Sequence, residues 1–152
     1  MRGYTYQEER GVSVARARGV ELPISPKKAY EVLNAIRGLP VDRARSVLEE
    51  AIAERHTIPF RRYNQETAHH TGTGPGRYAT KVARNILKVL DNARENAEYD
   101  GLDTDRLIVK VAASARGQIR RGSMPRAHGR ATQWNEQTTN IEIVLAERKE
   151  AE

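Results

Sequence analysis

The chain contains no cysteine, which excludes disulfides, thiolate zinc sites and a cysteine nucleophile. It also has no long hydrophobic run. The apolar stretches span a few residues, far below the ~20 that a membrane helix requires, and the first residues lack the charged, apolar and cleavage regions of a signal peptide. A soluble, cytosolic protein without membrane insertion is therefore expected. There is no aromatic signature of an RRM and no Gly-x-x-Gly of a KH clamp. A His-Glu-x-x-His zinc motif is missing too, and the adjacent His69 and His70 point apart on most backbones. No catalytic residue, metal site or cofactor is expected. "AHHTGTGPGR" (68–77) has the glycines of a phosphate loop but neither its Lys-Ser or Lys-Thr ending nor a preceding strand. It reads as a flexible lead into a helix.

What is present is positive charge. The 152 residues are 38% apolar and 30% charged, with a net charge of +6. This suits a single domain, 1–152, with a modest core and a polyanionic partner.

Residues 1–10 are polar and read as loose. In "VSVARARGVEL", Val12, Val14 and Val20 alternate with polar positions, a strand pattern. In "SPKKAYEVLNAIRG", Ser25 suits an N-cap and Pro26 the first helical position. Ala29, Val32, Leu33 and Ile36 then form an apolar face that Gly38 ends. Lys27 and Lys28 sit where the helix dipole disfavours cations, which points to an external anion; two solvated lysines explain them equally well. After "GLP", Asp42 is a candidate cap for a second helix facing inward through Ala44, Leu48, Ala51 and Ile52, although Arg45 stands where a capping box wants Glu or Gln. A third helix is expected from after Pro75 to near Gly101, with Val82, Ile86, Leu90, Ala93 and Ala97 on its apolar face. On another face Arg77, Lys81, Arg84 and Lys88 repel one another unless a polyanion lies alongside. From Asp91 to Asp105 the charge reverses, so that end should face away from a polyanion.

"LIVKVAASARG" loses apolar content toward Gly117, and "TTNIEIVLAER" regains it toward Leu145. Folded about Met124 and Pro125, the two mirror each other as one antiparallel hairpin, 107–146. Each limb would run roughly 50 Å at ~3.3 Å per residue, against a radius of gyration of about 15 Å for a compact chain of this size. The outer half must project, and an isolated two-stranded ribbon is marginal in water. Between Arg106 and Asn135 there is no Asp or Glu, while Lys110, Arg116, Arg120, Arg121, Arg126 and Arg130 supply cations. Arginine forks suit phosphates and base edges, Trp134 offers a stacking face, and Gly117, Gly122 and Gly129 permit close backbone approach. The arm reads as built for burial in nucleic acid, with a disordered basic loop as the plainer alternative.

These segments resemble a known family. "SPKKA" (25–29), "IRG" (36–38), "PRAHGRA" (125–131) and "IEIVLAE" (141–147) are similar to the universal large-subunit ribosomal protein numbered twenty-two in bacteria. "PFRRYN" (59–64) and "AEYDGLD" (97–103) resemble its archaeal and eukaryotic branch, numbered seventeen in eukaryotes. The resemblance implies an α+β fold, with three helices packed on a small antiparallel sheet and a long protruding β-hairpin. It implies a non-enzymatic constituent of the cytoplasmic ribosome whose partners are 23S-type rRNA, neighbouring large-subunit proteins and the nascent polypeptide. The hairpin tip, Gln118 to Arg130, would line the exit tunnel. The rRNA-binding residues expected on the hairpin are Lys110, Arg116, Gln118, Arg120, Arg121, Met124, Pro125, Arg126, His128, Gly129, Arg130 and Trp134. On the body they are Arg16, Arg18, Lys27, Lys28, Arg61, Arg62, Tyr63, Asn64, Arg77, Lys81, Arg84 and Lys88. Two alternatives stand beside this reading. One is a DNA-binding regulator using the first two helices as a helix-turn-helix, against which Glu49, Glu50 and Glu54 crowd the would-be recognition helix. The other is an RNA-processing enzyme acting through His56, His69, His70 or His128.

Overall fold

The structure is a computed structural model and describes residues 4–7 and 13–148. The chain begins with β1 (Val14–Leu22), followed by α1 (Pro26–Ile36) and α2 (Val41–Ile52). Three short strands, β2 (Ile58–Pro59), β3 (His69–His70) and β4 (Gly74–Arg77), lead into the long helix α3 (Thr80–Tyr99). The chain then forms the hairpin: β5 (Leu107–Arg120), β6 (Ser123–Pro125), β7 (Ala131–Gln133) and β8 (Glu136–Glu147). The main sheet has the order β1-β8-β5, and both pairings are antiparallel. Three helices on an antiparallel sheet with a long hairpin make the expected α+β fold. None of the helices among the described residues is long and apolar enough to cross a membrane.

Period two governs β8. Ile141, Ile143 and Leu145 are fully buried toward the helices, where α1 packs on β5 and α3 covers β1 and β8. Such side chains gain about 1.5–3 kcal/mol each on burial, before the entropy of ordering them. The opposite face of β8 is covered as well. Glu142 accepts hydrogen bonds from the backbone N–H groups of Thr5 and Tyr6, both at 3.0 Å. The loose start expected for residues 1–10 is thus corrected for the described 4–7, which are strapped to the sheet.

On β1 the inward face differs from the expected one. Ala15, Ala17 and Gly19 point into the core, Val14 is half-buried and Val20 is 58% exposed; Val12 lies outside the described residues. The reason is the closeness of α3. A Cβ on Gly19 would meet Leu22 Cδ1 at 2.7 Å and Val89 Cγ2 at 3.0 Å, so only small residues fit beneath the helix.

In α1 the inward face is Ala29, Val32, Leu33 and Ile36, as the spacing predicts, with Glu31 buried beside them. Ser25 holds the N-cap position and Pro26 the first turn, but the Ser25 side chain makes no capping bond. The cap of α2 is Pro40; Asp42 lies within the first turn instead of before it. Arg45 reaches from α2 to Glu49 at 2.9 Å and to Asp91 of α3 at 3.4 Å. The connector between α1 and α2 closes the free edge of β5: the Gly38 N–H donates to Val109 O, and the Val109 N–H donates to Leu39 O, both at 2.9 Å.

The segment read as a flexible lead into α3 is a small sheet of order β2-β4-β3. His69 pairs with Pro75 and Ile58 with Arg77. The helix therefore starts at Thr80, after Ala79 turns the chain through the left-handed region at φ 50°. Its buried face contains the five residues expected, joined by Ala83 and Val89.

Candidate nucleic-acid interface

The hairpin keeps its pairing to the tip. Arg116 lies opposite Thr139, Arg120 opposite Glu136, Met124 opposite Thr132 and Pro125 opposite Ala131. The reversal occurs at His128 and Gly129, with φ of 60° and 68°, and not at Met124 and Pro125. A tight reversal needs such left-handed residues, and glycine adopts them without steric cost. The Arg126 N–H closes the tip on Arg130 O at 2.7 Å, and Arg126 Nε donates to Thr132 Oγ1 at 3.1 Å. From 118 to 136 every residue is exposed except Met124, which is half-buried. Gln118, Arg120, Arg121, Pro125, His128, Arg130 and Trp134 accordingly present their side chains to the surroundings. Gly117 and Gly122 do permit close approach, but between the strands of the arm itself. A Cβ on Gly117 would collide with Thr138 Oγ1, and one on Gly122 would stand 2.7 Å from Trp134 O.

Where the arm leaves the body, a cleft of about 410 Å³ opens. Lys27 at the start of α1, Lys81 at the start of α3, and Arg116 and Arg120 on β5 line it, with Glu136 on the β8 side and Ile24 and Pro26 among its apolar lining. Body cations and arm cations, far apart in sequence, thus share one recess. Thr139 Oγ1 donates to Ile24 O at 2.6 Å and fixes the turn before α1 against the sheet. Arg84 and Lys88 continue the exposed cationic line along α3. Arg77 does not belong to that line. It lies on β4, with Nη2 donating to Glu66 O at 3.1 Å, because the helix begins three residues later.

Beside the cleft, α1 and the loop after β2 form an aromatic cluster. The rings of Tyr30 and Tyr63 meet edge to face at 5.8 Å. The Arg62 guanidinium lies 5.5 Å from the Tyr30 ring centre and 5.6 Å from that of Tyr63, and Lys27 Nζ stands 5.8 Å from Tyr63. The Arg62 pKa is raised further above its ordinary value, through its interaction with Tyr30 foremost and with Tyr63 next. Glu31 sets this geometry. Its carboxylate, 1% exposed, accepts the backbone N–H groups of Arg61 at 3.2 Å and of Arg62 and Tyr63 at 2.8 Å each. Arg61, Arg62 and Asn64 are exposed and Tyr63 half-buried. Glu31 and Tyr30 are the contributors that sequence reasoning missed. A glutamate among apolar helix residues carries no signal of the loop that will settle on it.

The remaining expected residues lie elsewhere. Lys28 is half-buried on α1. Arg16 stacks on Tyr4 at 5.1 Å and Lys110 on Tyr6 at 5.5 Å, and Arg18 lies opposite Glu142 in the β1–β8 register. None of these three lines the cleft. The histidines are dispersed: His56 is exposed between α2 and β2, His69 and His70 form β3, His70 packs on Tyr78 at 5.7 Å, and His128 sits at the tip. Glu49 on the exposed side of α2 pairs with Arg45, so one of that helix's two arginines is already matched by an acid on the same helix.

The family model described as Ribosomal protein L22p/L17e matches residues 17–146. The large ribosomal subunit protein uL22 of Methanothrix thermoacetophila is 49% identical over 136 residues, covering 88% of this chain and 90% of that one. Its counterpart in Methanopyrus kandleri is 48% identical over 132 residues, with 84% and 83% covered. That of Archaeoglobus fulgidus is 42% identical over 144 residues, with 93% of each chain covered.

Proposed function

Because the chain belongs to the Ribosomal protein L22p/L17e family, as an archaeal-type member, we propose that this structural, non-enzymatic constituent of the large ribosomal subunit binds 23S-type rRNA and aids subunit assembly. It works in the cytoplasm, beside neighbouring large-subunit proteins. The observation that carries this reading is the arm: from Gln118 to Asn135 it is exposed apart from half-buried Met124, bears Arg120, Arg121, Arg126 and Arg130, and has no acid. A ribbon without a core of its own gains its stability from what surrounds it, and a surround of phosphates removes the mutual repulsion of the arginines. The cations along α3 and at the start of α1 extend the same footing over the body. The tip, Gln118 to Arg130, lines the polypeptide exit tunnel, where it meets the nascent chain.

Sedimentation of a native lysate tests the reading. Cosedimentation with the large subunit through a high-salt wash is expected; release into light fractions at low salt would overturn it. Neutralisation of about eight phosphates gives a log–log salt slope of roughly −6 to −7 for the free protein on rRNA. For the tunnel, a photo-crosslinking residue in place of His128 should capture a stalled nascent polypeptide. Crosslinks to rRNA alone would remove the tip from the tunnel lumen.

A further inference from the structure

The cleft and the aromatic cluster are neighbours, joined by Lys27, which lines the first and stands over Tyr63 of the second. Their chemistry differs from that of a plain phosphate-binding face. A duplex offers its phosphates and keeps its bases stacked inside, so exposed cations on an open surface suffice for it. Here four cations converge on a recess with apolar lining from Ile24 and Pro26, which phosphates alone would leave unused. Beside it stands a guanidinium already ordered over two tyrosine rings, its backbone held by the buried Glu31. Arginine planes and tyrosine rings stack on the faces of unpaired bases. Glu136, the carboxylate on the cleft wall, repels a second phosphate but accepts a hydrogen bond from a ribose hydroxyl, the group that separates RNA from DNA.

We propose that the cleft and the Arg62–Tyr63 cluster together seat an unpaired stretch of RNA, with a backbone phosphate among Lys27, Lys81, Arg116 and Arg120 and a neighbouring base against Arg62 and Tyr63. The inference rests on the rRNA-binding reading and adds the strand state and its seat. Glu31 is a positioning residue for that seat.

The test uses the full chain and fluorescence anisotropy, with a labelled single-stranded RNA of about ten nucleotides, the corresponding blunt RNA duplex, the single-stranded DNA of the same sequence, and a long 23S-type rRNA fragment. The single-stranded RNA should bind more tightly than the duplex or the DNA. Tyr63→Ala should weaken its binding about tenfold with the salt slope unchanged, and Tyr63→Phe should restore it, since stacking is insensitive to salt. Arg62→Lys, at an exposed position, keeps the charge and loses the plane; it should weaken binding in the same way and stands in if Tyr63→Ala misfolds. Lys81→Ala should instead reduce the slope by about 0.7. Equal binding of strand and duplex, with Arg62→Lys and Tyr63→Ala both neutral, would overturn the seat while leaving rRNA binding intact. Failure to bind even the long fragment would overturn the functional reading as well.

Discussion

The Tyr63 backbone N–H donates to Glu31 Oε1 at 2.8 Å, so a carboxylate buried in the first helix fixes a loop thirty residues on. With the Arg61 and Arg62 N–H groups on the same carboxylate, the loop has little freedom to swing its arginines away from Tyr30. Glu31→Ala leaves three donors without their acceptor and should lower unfolding free energy by about 3 kcal/mol. Urea denaturation measures it. A loss under ~0.5 kcal/mol would mean that water replaces the carboxylate at little cost.

Replacing Arg120, Arg121, Arg126 and Arg130 together with alanine should leave the body folded, because all four side chains are exposed and surface changes rarely exceed ~0.5 kcal/mol each. Entry into large subunits should drop, and the salt slope for rRNA binding should flatten by about 3. Circular dichroism and sedimentation profiles decide the matter. If the variant unfolds at ordinary temperature, the division into body and arm is wrong.

Gly117 marks a break in the β5–β8 register between Arg116 and Ile119. A methyl group there strikes Thr138 Oγ1 and stands 3.2 Å from the Thr138 backbone carbonyl carbon. Gly117→Ala should destabilise by about 1–3 kcal/mol. Adding Thr138→Ala removes the nearest obstructing atom, so the double variant should recover part of that loss. Additive losses in thermal melts would show that the contact is not the cause.

Arg45 bridges α2 to α3 through Glu49 and Asp91, contacts that also raise its pKa, the hydrogen bond to Glu49 foremost. Its side chain is 41% exposed, and exposed pairs contribute little in water. Arg45→Ala should cost under about 1 kcal/mol, and the difference should shrink in 1 M salt, where charges are screened within ~3 Å. A larger, salt-independent cost would assign the residue a packing role.

The long elements were legible because their signals are long. The faces of α1 and α3 recur over several turns, and the mirrored apolar gradient of β5 and β8 spans a dozen residues on each side. The apex lies four residues beyond the expected point because a left-handed His128 has no signature of its own. The β2-β4-β3 sheet was illegible for a different reason: strands of two to four residues, rich in glycine and proline, carry no periodicity. β1 turned its alanines inward because the distance to α3, a tertiary fact, outweighs the greater hydrophobicity of valine. At the interface, charge alone revealed most of the cations. Their division between a cleft and an aromatic cluster depended on Glu31 and Tyr30, which look like ordinary helix residues.

The placement of β8 bears on how the molecule comes into being. It is the central strand of the main sheet and also the last of the described elements to be synthesised, and it pairs Ala146 with Val14 of the first strand. Until it emerges, β1 and β5 have no ladder between them and the helices have no floor to settle on. Pairings this distant in sequence close slowly, and surface that waits for them invites aggregation. The main sheet is therefore completed only after the three helices and the arm have been made, while the cationic segments are already free to meet RNA.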